Sequence, residues 1–149
     1  MRALILVLVL LGLALPASAQ DQATQLEEAS ARLTQALNLC AQEVESTRPA
    51  MTEEQKMGIA LFFAAAMALE DNSLSLSGVC KLQQLSKSPG SSKGGIVVPL
   101  IQQYRTSNSQ QVANLSLALS LLPPSLQKQA NLVMIAATNA AAVIDKGCE

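Results

Sequence analysis

Histidine and tryptophan are absent from this 149-residue chain. Without histidine the commonest general base is missing, as are the usual Ser-His and Cys-His nucleophile pairs and most zinc sites. Aromatic residues stop at Phe62, Phe63 and Tyr104, too few for a platform that stacks bases or sugars. Charge is sparse, at 14% of residues, and nearly balanced, with 10 Lys and Arg against 11 Asp and Glu. A nucleic-acid binder would show a basic stripe, and there is none. Runs of β-branched residues are few, whereas alanine and leucine abound, so helix is the expected state. Three cysteines, Cys40, Cys80 and Cys148, stand too far apart to make a zinc ligand set. The acids come as local pairs, Glu27-Glu28, Glu43 with Glu45, Glu53-Glu54 and Glu70-Asp71. Each pair fits a solvated helix face or a cap better than a catalytic carboxylate pair. The expectation is a protein that is not an enzyme and carries no cofactor or metal.

What is present begins with an export signal. Arg2 supplies the charged start, residues 3–15 the apolar run, and Ala17-Ser18-Ala19 a small-residue cleavage site. Residues 1–19 are therefore expected to be a signal peptide, and residues 20–149 a single helical domain in the periplasm or secreted. No cysteine follows the apolar run, so no lipoprotein anchor is expected. An uncleaved anchor is the alternative, disfavoured because the run is short for a bilayer. A chain of roughly 130 residues can bury about two-thirds of its unfolded surface.

The stretch 57–69, MGIALFFAAAMAL, has neither a charge nor a polar side chain. Thr52 and Gln55 before it fit a capping box, and Glu53 and Glu54 suit the positive end of a helix dipole. A helix apolar on every face is expected to be buried on every face. At 1.5 Å per residue this one spans about 20 Å, short of the roughly 30 Å bilayer core. Ala60, Ala64 and Ala68 make a thin ridge, and Ala137 and Ala141 a second. The two ridges are expected to pack together.

In chain order, Leu26, Ala29, Leu33, Leu37, Cys40 and Val44 put a narrow apolar stripe on a helix over 22–46. Packing within the domain explains that stripe better than a dimer seam, which needs more heptads. Arg48-Pro49 ends the helix. Asp71-Asn72-Ser73 signals the start of a shorter helix through about residue 86, with Leu76, Val79, Cys80 and Leu82 on its buried side. Residues 86–95 hold nothing to bury and read as a mobile surface loop. A helix over 99–105 starts at Pro99. Ser107 to Gln110 offers another capping box for a fifth helix carrying Val112, Leu115, Leu119 and Leu122. Pro123-Pro124 stops it. A sixth spans 125–146, with Leu126, Ala130, Val133, Ala137, Ala140 and Ile144 inward and Gly147 closing it. The fold class is all-α, a single small helical bundle of about five to six helices.

Export makes a disulfide plausible, and three cysteines allow three pairings. Loop entropy does not choose, since closing 40–80 is worth about 4 kcal/mol and closing 40–148 about 5. Cys40 with Cys80 is favoured, because both lie on apolar stripes of neighbouring helices. Ser125-Leu126-Gln127-Lys128 spells S-x-x-K, but its companion motifs are missing. Residues 90–95 are glycine-rich without being a phosphate loop. Asn114-Leu115-Ser116 is a glycosylation sequon by spelling only.

With these elements placed, the order resembles a bacterial family, the small periplasmic immunity proteins that protect against type VI secretion amidase effectors. The carriers are the helix ending Leu37-Asn38-Leu39-Cys40, the apolar helix containing Gly58, Val79-Cys80, the stretch 96–104, and a helix stopped by Pro123. The family's Cys and Gly-Tyr near the start of the second helix are replaced here by Gly58-Ile59. The helix over 125–146 is additional, and no inhibitory residue carries over. The resemblance implies an exported inhibitor or immunity protein whose partner is another exported protein, a toxin or a cell-wall hydrolase. Candidate partner contacts are Lys87 and Lys93 in the loop, with Tyr104 and Arg105 at a helix end, since such surfaces and residue types anchor interfaces. Their plainer role is a solvated loop and a cation at a helix C-terminus. The alternative function is a membrane-active or lipid-binding protein, motivated by the nearly uncharged helices 57–69 and 132–144.

Overall fold

The computed structural model describes residues 22–86 and 94–148. Four long helices fill that span: α1 (Gln22–Thr47), α2 (Glu53–Ser86), α3 (Gly94–Leu119) and α4 (Gln127–Lys146). Single 3-10 turns, Arg48–Ala50 and Pro124–Leu126, precede α2 and α4. No strand occurs among the described residues. The chain is all-α, with four helices among the described residues where the sequence predicts five to six.

The difference comes from two mergers. Asp71-Asn72-Ser73 lies inside α2 instead of opening a new helix. Nothing in the backbone forces a break there, and the polar groups find partners across the bundle. Thr34 Oγ1 donates to Glu70, Asn72 Nδ2 donates to Ser107 Oγ at 3.0 Å, and Ser77 Oγ donates to Glu27 Oε1 at 3.0 Å. Buried Ser73 turns its hydroxyl back to the Leu69 carbonyl at 3.0 Å, the usual way a mid-helix serine is satisfied. The predicted helices 99–105 and 107–122 likewise form one α3. Thr106 and Ser109 bond the carbonyls of Gln102 and Arg105 four residues back, so no cap forms at Ser107. Pro99, the sixth residue of α3, removes one bond of the ladder without ending the helix. Ser86, Gly94 and Gly95 are helical, and the remainder of the expected loop lies outside the described residues.

Helix ends follow the sequence signals more closely. Thr52 Oγ1 accepts from the Gln55 amide at 3.2 Å, and Gln55 Oε1 accepts from the Thr52 amide at 3.0 Å. That is the reciprocal box predicted. At the other end Gly147 takes φ 74° and donates to the Ile144 carbonyl at 3.0 Å, a conformation glycine adopts without strain.

Successive helices run antiparallel. Glu27 meets Ser77 and Thr34 meets Glu70 in one register between α1 and α2. Asn72 with Ser107, and Gly58 against Leu121, fix a second register between α2 and α3. Gln22 Nε2 donates to the Val143 carbonyl at 3.0 Å, which closes the ring between α1 and α4. Helix α2 also meets α4 across the diagonal.

The core has two parts. The main cluster joins Leu33, Leu37 and Cys40 to Phe62, Ala66, Leu69, Leu115 and Val133. A second cluster at one end holds Ala23, Leu26, Leu76, Cys80 and Ile144. The stripes predicted for the first and last helices are buried from Leu26 to Cys40 and from Leu126 to Ile144. The alanine ridges behave otherwise. Ala60 and Ala64 are exposed, and it is Ala65 and Ala66, one step around α2, that share the core with Ala137. Leu82, expected inside, is also exposed.

The disulfide differs from the favoured pairing. Cys80 bonds Cys148, with Cα atoms 5.1 Å apart, and Cys40 is a buried unpaired thiol. The antiparallel register explains this. It puts Cys40 level with Ala64, about 24 Å along α2 from Cys80. Spanning 68 residues, the observed bridge is worth about 4 kcal/mol against the unfolded chain.

Two outcomes follow from these contacts. A Cβ on Gly58 would stand 2.6 Å from Leu121 Cβ and 3.3 Å from the Leu121 carbonyl oxygen. Gly58→Ala should therefore destabilise by about 1–3 kcal/mol in denaturant titration through overpacking, although alanine is the better helix former by about 1 kcal/mol. Glu27 is held below its ordinary carboxyl pKa by hydrogen bonds from Lys81 and Ser77. A depressed carboxyl stabilises above its unfolded pKa, and that contribution is lost as pH falls through the folded one. Glu27→Gln should then flatten the acid limb of the thermal midpoint as pH falls below the ordinary glutamate range.

Candidate functional site

Helix α2 turns Phe62, Ala65, Ala66 and Leu69 inward. The same run is apolar on its other side, so apolar residues also face out. Met57 is 58% exposed, Leu61 52% and Met67 55%. On α3, beside this face, Leu117 is 69% exposed, and Ala113 is exposed as well. No charged residue occurs in 57–69 or in 106–127. Contiguous exposed apolar surface of this kind marks an interaction site more often than chance.

Between the two helices runs a groove of about 430 Å³, lined by Leu61, Ala64, Ala65 and Ala68 from α2 and by Gln111, Asn114 and Leu117 from α3. Its polar groups are uncharged amides. Gln110 Nε2 donates to Asn114 Oδ1 at 3.0 Å along the helix surface. Asn114, the sequon residue, is helical and exposed.

The charged residues cluster on α1, on the other flank of α2. Helix α1 carries Glu27, Glu28, Arg32, Glu43 and Glu45. Arg32 pairs with Glu28 at 3.5 Å, and Lys81 of α2 pairs with Glu27. Ionic chemistry thus lies along α1, and apolar and amide chemistry along the first half of α2 and the second half of α3, with Leu132 and Ile135 exposed on α4 as well.

Of the residues singled out in the sequence, Tyr104 and Arg105 lie away from this face. Lys87 and Lys93 are outside the described residues. Tyr104 is half-buried against the end cluster. Arg105 Nη2 donates to the Lys146 carbonyl at 3.1 Å, placing a cation at the C-terminus of α4 as the helix dipole favours. Its Nε is buried without a hydrogen-bond partner. Tyr104 and Arg105 are mid-helix rather than at a helix end, because α3 continues to Leu119. They sit toward the disulfide end, away from the neutral face. Arg105 and Cys148 border a separate cavity of about 330 Å³ with Val98 and Ile101.

Sequence reasoning missed Met57, Leu61, Met67 and Leu117 as surface residues. The expectation that residues 57–69 are buried on every face fails, because three neighbouring helices leave the outer side of α2 open. Merging also changes the membrane comparison. Helix α2 is about 50 Å long, and over Glu53–Gln83 it is long and apolar enough to cross a bilayer. No group of potential metal ligands occurs among the described residues. No family model, curated protein or solved structure matches this chain.

Burial raises the pKa of the Cys40 thiol, and nearby Glu43 adds to the shift. The thiol is then protonated and shielded at neutral pH. A thiol assay should find no reactive cysteine in the native protein, one after denaturation, and three after denaturation with reductant. Two native thiols would contradict the Cys80–Cys148 bridge.

Proposed function

We propose that this chain is an exported, non-enzymatic helical binding protein that acts by contact with another exported protein. Its contact surface is the neutral face of α2 and α3. One observation carries this proposal: large apolar side chains from two helices stand exposed around a groove, in a stretch without charge. Such a face gives up little hydration when covered, and each buried Å² of apolar surface returns roughly 25 cal/mol. An inhibitor or immunity protein acts in this way, by occupying its target. The resemblance noted in the sequence favours that role, with a toxin or a cell-wall hydrolase as the partner. A cleaved signal at 1–19 would deliver the chain to the periplasm or outside the cell. The Cys80–Cys148 bridge supports that destination, since disulfides persist in oxidising compartments.

The partner should present an uncharged apolar segment, with a few groups able to meet Gln111 and Asn114. Tagged protein captured from the exported fraction of its own host tests this. Wild type should retain one stoichiometric partner, and a Leu61→Glu, Leu117→Glu variant should lose it at least tenfold while keeping its circular dichroism spectrum. Full retention by the variant would remove this face from the function.

A second function is supported by the length and apolarity of α2. A helix with both faces apolar could open from the bundle and enter lipid. Flotation of the protein with vesicles would favour it, and protein left at the bottom of the gradient would end it.

A further inference from the structure

We infer that in the free protein the neutral face is covered by a second copy of the chain, packed antiparallel through α2 about a two-fold axis at Ala64. The inference rests on the proposal that this face is a contact surface, and it names what occupies the face before any partner arrives.

Three observations carry it. The first is electrostatic. A surface meets its own copy without repulsion only when it holds no net charge at the contact, and residues 57–69 and 106–127 hold none. Lys56 and Asp71 bound the stretch on α2. Across the proposed axis Lys56 falls within one residue of Asp71 at the rim, opposite in sign, and Lys56 also pairs with Glu53 at 2.7 Å.

The second is area. Met57, Leu61, Met67 and Leu117 are each more than half exposed. With the alanines between them they offer several hundred Å² of apolar surface, the order of one partner's share of a standard interface, roughly 800 Å².

The third is shape. Successive residues turn about 100° around a helix and rise about 1.5 Å. On the outer side of α2, Leu61 and Ala68 therefore stand toward α3, Ala60 and Met67 toward α1, and Ala64 between them. A two-fold axis through Ala64 reverses the helix direction without exchanging these flanks. Leu61 then meets Ala68 of the second copy, Met67 meets its Ala60, and Ala64 meets its own counterpart. The register fixed by Asn72 with Ser107, and by Gly58 with Leu121, extends the match to α3. It puts Leu117 and Ala113 at equal distances on either side of the Ala64 level, so Leu117 meets Ala113 of the second copy. Leu61, Met67 and Leu117 each face a small residue, and every such contact is made twice, as an isologous interface requires, while Met57 falls level with Asp71 of the second copy at the end of the contact. A partner protein must displace the second copy, so self-association sets a threshold for binding.

Sedimentation equilibrium of the mature protein at roughly 10–100 μM tests the inference at concentrations where interfaces of this size associate. The expected result is a dimer that Ala64→Glu converts to monomer with unchanged helicity. Under mild oxidation Ala64→Cys should form a covalent dimer, and Ala113→Cys, whose counterpart is Leu117, should not. A wild-type monomer throughout that range would overturn the inference, as would a dimer that survives Ala64→Glu. A monomer that still captures an exported partner would sink the dimer and leave the proposed function standing. A monomer that floats with vesicles would assign the face to lipid.

Discussion

A four-helix bundle covers only part of the circumference of each helix, and α2 is apolar around nearly all of it between Met57 and Leu69. Much of the structure depends on that mismatch. Helix α1 covers one flank, α3 the other, and α4 meets α2 across the core. What these three leave open remains apolar and faces solvent. The inner side is built from Phe62, Leu69 and small residues, and the neighbours approach most closely where Gly58 meets Leu121. Further along, polar residues take over the outer contacts. Glu70, Asn72 and Ser77 tie α2 to α1 and α3 and hold both registers. One helix therefore does two jobs along its length, exposing an apolar face in its first half and locking the bundle in its second.

Much of the fold was legible in the sequence where the signal was local. The capping box at Thr52, the stop before Pro49, glycine at 147 and the stripes of α1 and α4 all depend on residues within one or two turns. Legibility failed where the outcome depended on another helix. Asp71-Asn72-Ser73 has the composition of a helix start, and only partners on α1 and α3 make it helix interior. The alanine ridge was read as a packing surface, yet the neighbours bury the adjacent pair, Ala65 and Ala66, and leave Ala60 and Ala64 outside. A rotation of about 100° around one axis separates the two outcomes, and no pattern confined to α2 can decide it.

The cysteines make the same point. Stripe membership brought Cys40 and Cys80 together on paper, but antiparallel packing carries them to different levels of the bundle. Cys80 finds its partner where the chain end returns to α2. Cys40 stays in the main cluster and behaves as a small apolar side chain. The candidate surface was hidden for a related reason. Exposure of Leu61 or Leu117 is not a property of either residue but of which side the bundle fails to cover.

The bridge also decides how the molecule would carry load. Without it, tension applied beyond residue 148 would act first on the end of α4, a helix end held by a few bonds such as that of Arg105 to the Lys146 carbonyl. With it, the pull passes through Cys148 into Cys80, within the longest helix and beside the contacts that hold it to α1. Anything tethered at that end would pull on the body of the bundle along α2, and α4 could not be peeled away first.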